Sequence, residues 1–181
     1  MNNLLNTKAY LIGAIENDDN SYDWRADLKN RLSDFGIKFF DPLRRPLINK
    51  VEENAAFKTA VKNYRKDLDI TQLNAVMSKI RSEDLSLVDR CDFIVFYLDL
   101  NKPTCGSYEE YFRAVWLNKP AYIVCKQGMD NIPLWLFGCE NEPYGYFFND
   151  FDDLEITLFN INGASIHDVD KKWNFLALDC R

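Results

Sequence analysis

The sequence predicts a three-layer α/β domain, with a five-stranded, mainly parallel sheet between two layers of helices. Three observations predict it. Short apolar runs rich in strand-forming residues alternate along the chain with segments of helical spacing. The run Phe93–Leu98, FIVFYL, is apolar at every position, as a strand buried on both faces must be, and is too short for a stable helix. The 181 residues, 47% hydrophobic and 14% aromatic, suffice for one core and leave little room for a second.

Residues 8–15 form the first strand, and Gly13 and Ala14 open its carboxyl end, where small residues let a ligand approach the backbone. No G-x-G-x-x-G follows, so a dinucleotide fold is not indicated. The next loop, Glu16-Asn17-Asp18-Asp19-Asn20, is acidic and would repel a phosphate, although Arg25 stands close by in sequence. Trp24, Leu28, Leu32 and Phe35 recur at helical spacing, and Gly36 stops that helix. Trp24 is open to two readings, core packing or an aromatic face offered to a ligand. Residues 37–40 make the second strand, and Asp41-Pro42 turns it out. Residues 43–50 read as a loop whose Arg44 and Arg45 are expected in solvent.

Two stretches without Pro or Gly, 51–66 and 69–81, show helical spacing and form an insertion. A lid, a dimer surface or a plain helical addition all fit it. Residues 82–89 begin another short helix, which Ser82 or Asp84 could cap.

From Asp84 to Pro120 the chain carries its densest pattern. After the buried strand, residues 101–106 hold turn formers and lead out at its carboxyl end. Ser107 with Glu110 three residues on fits a capping box at the start of a helix. Ligands of open α/β sheets bind beyond the carboxyl ends of the strands, which places Glu109 and Glu110 near a candidate site. Carboxylates there also serve simply as partners of the helix dipole. Residues 121–125 then form the fourth strand, 132–137 a short apolar helix, 144–148 the fifth strand and 150–159 an amphipathic helix. The tail offers only a helix-like end around 173–178.

Composition excludes several function classes. A formal net charge of −6 argues against a nucleic-acid-backbone binder. No run approaches a membrane span, and residues 1–6 lack the plan of a signal peptide, so a cytoplasmic protein is expected. Five widely spaced cysteines and a single histidine, His167, supply neither a zinc set nor a Ser-His-Asp triad. Cys105, beside the candidate site, has no neighbouring His to activate it.

The central stretch resembles the nucleoside 2-deoxyribosyltransferase family and its N-glycosidase relatives. Gly106-Ser107-Tyr108-Glu109-Glu110 matches the family's G-x-x-x-E helix start, and Leu117-Asn118-Lys119-Pro120 matches its turn into the next strand. The resemblance covers roughly residues 8–148 and implies a flavodoxin-like strand order, 2-1-3-4-5. It also implies that Glu110 is the nucleophile, that Asp84 handles the base, and that Gly13 and Ala14 face substrate. Thr104 stands where relatives have an Asp or Ser that touches the sugar or phosphate, and a neutral hydroxyl there differs from a second charge. Gly106 and Tyr108 complete the expected substrate wall. The implied activity is exchange of the base of a 2′-deoxyribonucleoside through a glycosyl-Glu intermediate, in a homo-oligomer, with no metal or redox cofactor. Nucleosides and free nucleobases would be its small-molecule partners. Water taking the place of the second base would make it a hydrolase, and a pocket without turnover would make it a sequestering protein. Trp135 is named for a segment that completes a neighbouring subunit's pocket.

Overall fold

The computed structural model describes residues 2–15, 23–48, 50–139 and 146–175. Five strands form one all-parallel sheet in the order 2-1-3-4-5: β1 Lys8–Gly13, β2 Lys38–Phe40, β3 Phe93–Leu98, β4 Ala121–Cys125 and β5 Phe147–Phe148. Among the described residues six α-helices accompany them: α1 Asp23–Arg31, α2 Ala55–Lys66, α3 Ile70–Arg90, α4 Cys105–Trp116, α5 Leu134–Phe137 and α6 Phe151–Gly163.

Burial on both faces explains the uninterrupted apolar strands. Ala9 and Leu11 of β1, Phe93 and Val95 of β3 and Tyr122 and Val124 of β4 pack under the α1 and α6 layer. Their sequence neighbours Tyr10, Ile12, Ile94, Phe96 and Ile123 pack under α3 and α4. Tyr10 lies opposite Ile94 in the parallel register. It therefore carries the one hydroxyl that β1 sends into the α3 and α4 layer.

Helix boundaries differ from those that the local signals predict. Residues 82–89 are no separate helix, because α3 runs unbroken from Ile70 to Arg90 and its N-cap is Asp69, which accepts from the Gln72 N–H. The helix before it begins at Ala55 behind the cap Asn54, four residues later than its apolar spacing alone predicts. Gly36 does end the first helical segment, in the left-handed region at φ 68°. There a side chain would be strained and would also strike Leu5. The fifth strand is shorter than expected, and the predicted Tyr144 and Gly145 portion lies outside the described residues. So does the acidic loop 16–20. The tail places Trp173 over Phe93 and Tyr122, and of its expected helix-like end at 173–178 the described residues 173–175 are not helical.

Among the described residues no helix is long and apolar enough to cross a membrane. None of their His, Cys, Asp and Glu side chains gather into a group of three able to hold a metal.

Candidate active site

Asp84 is the odd member of an otherwise apolar stripe. Ile80, Asp84, Leu87 and Val88 recur at i, i+4, i+7 and i+8 and are the buried residues of α3. The spacing turns all four inward, so a carboxylate is driven into the layer between α3 and the sheet. A buried charge needs a partner, and Arg45 supplies it. Its Nε and Nη2 donate to the two carboxylate oxygens of Asp84 at 2.7 and 2.9 Å, a two-pronged pair with both residues buried. Arg45 Nη1 also meets Glu53 at 2.8 Å, and Glu83 lies 3.7 Å from Nε.

The expectation that both loop arginines are solvated fails for Arg45, which is 4% exposed, while Arg44 is exposed. The backbone explains the difference. Asp41 caps a 3-10 turn at Pro42–Arg44, and Pro46 forces Arg45 into an extended conformation that ends the turn. The next segment is tied down as well, because the Val51 N–H donates to both Glu83 oxygens at 3.0 Å.

Glu110 enters from α4. Ser107, Tyr111 and Ala114 are the buried residues of that helix and set its sheet-facing stripe; Glu110 lies on the flank toward β1 and α3. The capping box does not form. The helix starts at Cys105, Thr104 occupies the cap position without a side-chain cap bond, and Ser107 sits buried inside the first turn. Glu110 instead accepts a 2.7 Å hydrogen bond from the Tyr10 hydroxyl. Burial first, and then the negative charge of Asp84, push its carboxyl up to about 8, against the Tyr10 hydrogen bond and the charges of Arg25 and Arg45. Burial, with Glu110 and Asp84 behind it, holds the Tyr10 phenol well above its usual range, so it remains a donor. Burial also raises Asp84, while Arg45 pulls it back.

Glu109 points elsewhere. It forms a two-pronged ion pair with Arg81 of α3 in an exposed position. The two adjacent carboxylates diverge as neighbours on a helix must, by about 100°.

The other expected site residues separate into two groups. Thr104 is 9% exposed with its hydroxyl unused in capping, and a side chain added at Gly106 would meet nothing within 4 Å. Open room at the start of α4 lies at Gly106, beside the buried Thr104. Asp99, at the end of β3, fixes the approach to them: Lys126 donates to it at 2.8 Å and Gln127 at 2.7 Å. Against the cost of burial, those two groups and the Asn101 N–H hold its carboxyl down to about 2.

Tyr108 lies apart from Glu110, edge-on to Phe96 at 5.7 Å and beside Phe112, two residues and about 200° around the helix. It does not orient the carboxylate. Gly13 faces the opposite layer: a Cβ there would come 2.8 Å from the Trp24 ring. Its carbonyl accepts from Arg25 at 3.1 Å, and Ala14 beside it is buried.

Trp24 takes the core reading. It is 8% exposed, with Tyr97, Phe151 and the Arg25 guanidinium against it, and its Nε1 is buried without a hydrogen-bond partner. Arg25 is likewise buried, 3.6 Å from Asp41, rather than swung out toward a ligand. Cys105 is exposed as the first residue of α4. Trp135, on α5, is 78% exposed.

Sequence reasoning missed Tyr10 and Arg45. Tyr10 is indistinguishable in sequence from an apolar strand residue. Asp84 did leave a signal, a carboxylate in the middle of a buried stripe, and such a residue implies a cation elsewhere in the chain.

No family model matches the chain, and no curated protein matches it by sequence. Solved structures do. A 2-deoxyribosyltransferase from the psychrotolerant bacterium Bacillus psychrosaccharolyticus superposes with a TM-score of 0.55 at 19% identity, over 84% of this chain and 96% of that one. A 2-deoxyribosyltransferase from Leishmania mexicana gives 0.50 at 15% identity, over 87% and 99%. A CMP N-glycosidase of Clostridium botulinum gives 0.48 at 13% identity, over 84% and 98%. The chain therefore has the fold seen in the 2-deoxyribosyltransferases, nearly end to end of their length.

Proposed function

We propose that this chain is an N-glycoside-cleaving enzyme of the nucleoside 2-deoxyribosyltransferase kind, with Glu110 as its nucleophile. The observation that supports the reading best is the placement of Glu110 itself: partly buried, hydrogen-bonded to Tyr10, and within the field of Asp84. A carboxyl raised toward neutrality beside a second carboxylate is the pattern of an acid-base and nucleophile pair. The shared fold supports the same reading.

In the proposed reaction an oxygen of Glu110 bonds to the anomeric carbon of a 2′-deoxyribonucleoside as the bond from that carbon to the base nitrogen breaks. The departing base keeps the electron pair. Glu110 holds its proton in the resting site and must lose it to attack, while the departing base must gain one. A single proton therefore serves both needs, and Asp84 is the group that handles the base. A second base then reverses the steps and carries the sugar away. Tyr10 steadies the charged form of Glu110 by its hydrogen bond. The unused hydroxyl of Thr104 and the open space at Gly106 suit the sugar, and the backbone of Gly13 and Ala14 lies at the strand end where the remainder of the nucleoside would pass. Leu134 and Trp135, exposed on α5, are where a second copy of the chain would dock in the expected homo-oligomer.

Incubation with deoxyinosine and free adenine tests the reading. Deoxyadenosine formation supports transfer. Hypoxanthine release without deoxyadenosine means that water is the acceptor. Calorimetric binding of the nucleoside with no base release over hours would leave only a sequestering role.

A further inference from the structure

We propose that Arg45 is a positioning residue that fixes Asp84 as a charged acceptor, so that the site selects bases presenting an N–H to it, such as the exocyclic amine of adenine or cytosine. The proposal rests on the N-glycoside reading above and adds a specificity determinant to it.

The geometry carries the inference. Both Arg45 contacts to Asp84 are short and come side by side from one edge of the guanidinium, Nε and Nη2, which fixes the plane of the carboxylate as well as its charge. Each carboxylate oxygen uses one acceptor direction on Arg45 and keeps another for a ligand. A carboxylate held this way accepts while the base binds, and carries a proton only in passing it to the base as the glycosidic bond breaks. A base that turns an N–H toward it gains a charge-assisted bond, and one that turns a carbonyl toward it meets repulsion.

The surroundings make the arginine necessary. Facing Asp84 are Glu83 from its own helix, Glu53 from the segment before α2, and Glu110 with Tyr10 from α4 and β1. Three carboxyl groups and one phenol crowd a single buried carboxylate, and among the described residues Arg45 is the cation in contact with it. Without Arg45, like-charge crowding and burial would drive a proton onto Asp84 and convert it into a mixed donor and acceptor. Glu53, at 2.8 Å from Nη1, then holds Arg45 from its other side and limits its rotation, while Glu83 lies 3.7 Å from the Nε that Asp84 engages.

The experiment compares deoxyadenosine with purine 2′-deoxyriboside, which lacks the amine, in the wild type, Arg45→Gln, Arg45→Lys and Asp84→Asn. The wild type should favour deoxyadenosine in kcat/KM by roughly tenfold, the scale of one charge-assisted hydrogen bond. Arg45→Gln should lose that preference at pH 6, mainly through KM, and regain it as the pH rises and Asp84 ionises again. Arg45→Lys should restore part of it at pH 6. A purely structural Arg45 would instead lower kcat for both substrates alike with an unchanged pH profile, and that result would overturn the proposal.

If thermal melts show Arg45→Gln unfolded, Asp84→Asn decides the matter. Loss of the amine preference supports an acceptor role, and an unchanged preference removes it. If the wild type turns over no N-glycoside at all, the function reading fails separately. Carbon-13 detection of Asp84 titration in the wild type and Arg45→Lys, with calorimetric binding of adenine against purine, still decides the role of Arg45. A parallel Asp84 midpoint and equal affinities for the two bases would sink it.

Discussion

Tyr10 and Glu110 stand one hundred residues apart in the chain and are joined by a 2.7 Å hydrogen bond from the phenol to the carboxylate. Strand β1 supplies the donor from its middle, and helix α4 supplies the acceptor from its flank. The bond favours the ionised form of Glu110, against burial and the neighbouring Asp84 charge.

Tyr10→Phe should therefore raise the Glu110 carboxyl further and slow sugar transfer by about ten- to a hundredfold, with the loss shrinking at higher pH. The fold should survive, because one hydrogen bond contributes on the order of 1 kcal/mol. A kcat/KM profile from pH 6 to 9 checks this. An unchanged acid limb would mean that Tyr10 does not tune the nucleophile.

Glu110→Ala should abolish base exchange, and Glu109→Ala should keep most of it. A covalent nucleophile cannot be spared in a double displacement, whereas Glu109 is committed to an exposed pair with Arg81. Intact mass spectrometry with a slow 2-fluoro nucleoside should find the trapped sugar on Glu110 in the wild type. An adduct on Glu109 would reverse the assignment.

Stability should also depend on Glu110. Its carboxyl titrates near 8 in the folded chain against an ordinary value of 4.5, so as pH rises the unfolded chain releases that proton first. The contribution is complete below about 4.5, declines as pH climbs toward 8 and is spent above it. Glu110→Gln carries no such proton and should gain stability relative to the wild type across that window. Melting temperatures of both proteins at several pH values from 4.5 to 9 give the answer, and parallel curves would contradict the raised value.

Gly13 and Gly106 should respond to a methyl in opposite ways. Gly13→Ala drives a methyl to 2.8 Å from Trp24 and 3.2 Å from the Tyr97 carbonyl, and should cost about 1–3 kcal/mol by overpacking. Gly106→Ala meets open space inside a helix and should be neutral or stabilising by up to about 1 kcal/mol. A fall in transfer rate with Gly106→Ala despite an undiminished melting temperature would place substrate against that turn. Full activity would remove Gly106 from the substrate wall.

The sequence by itself determined the sheet and its helices, because burial on both faces leaves a period-free apolar run that only a central strand satisfies. β3 and β4 were legible in this way residue for residue, at Phe93–Leu98 and Ala121–Cys125. The helix carrying Glu110 is legible too, though its start is not: the local pattern points to Ser107 as the cap, and Thr104 holds that position. A capping box is a local pattern, and here the sheet claims Ser107 for its own packing.

Only the tertiary structure decided the partners. Tyr10 meets Glu110 because parallel strands bring β1 beneath α4, and Arg45 meets Asp84 across 39 residues because α3 turns that carboxylate inward. Pro46 takes Arg45 out of the turn that holds Arg44, but no nearby residue shows where its side chain then goes. Its burial is fixed by the charge waiting at the other end, and a charge that distant in sequence is visible only once the chain has folded.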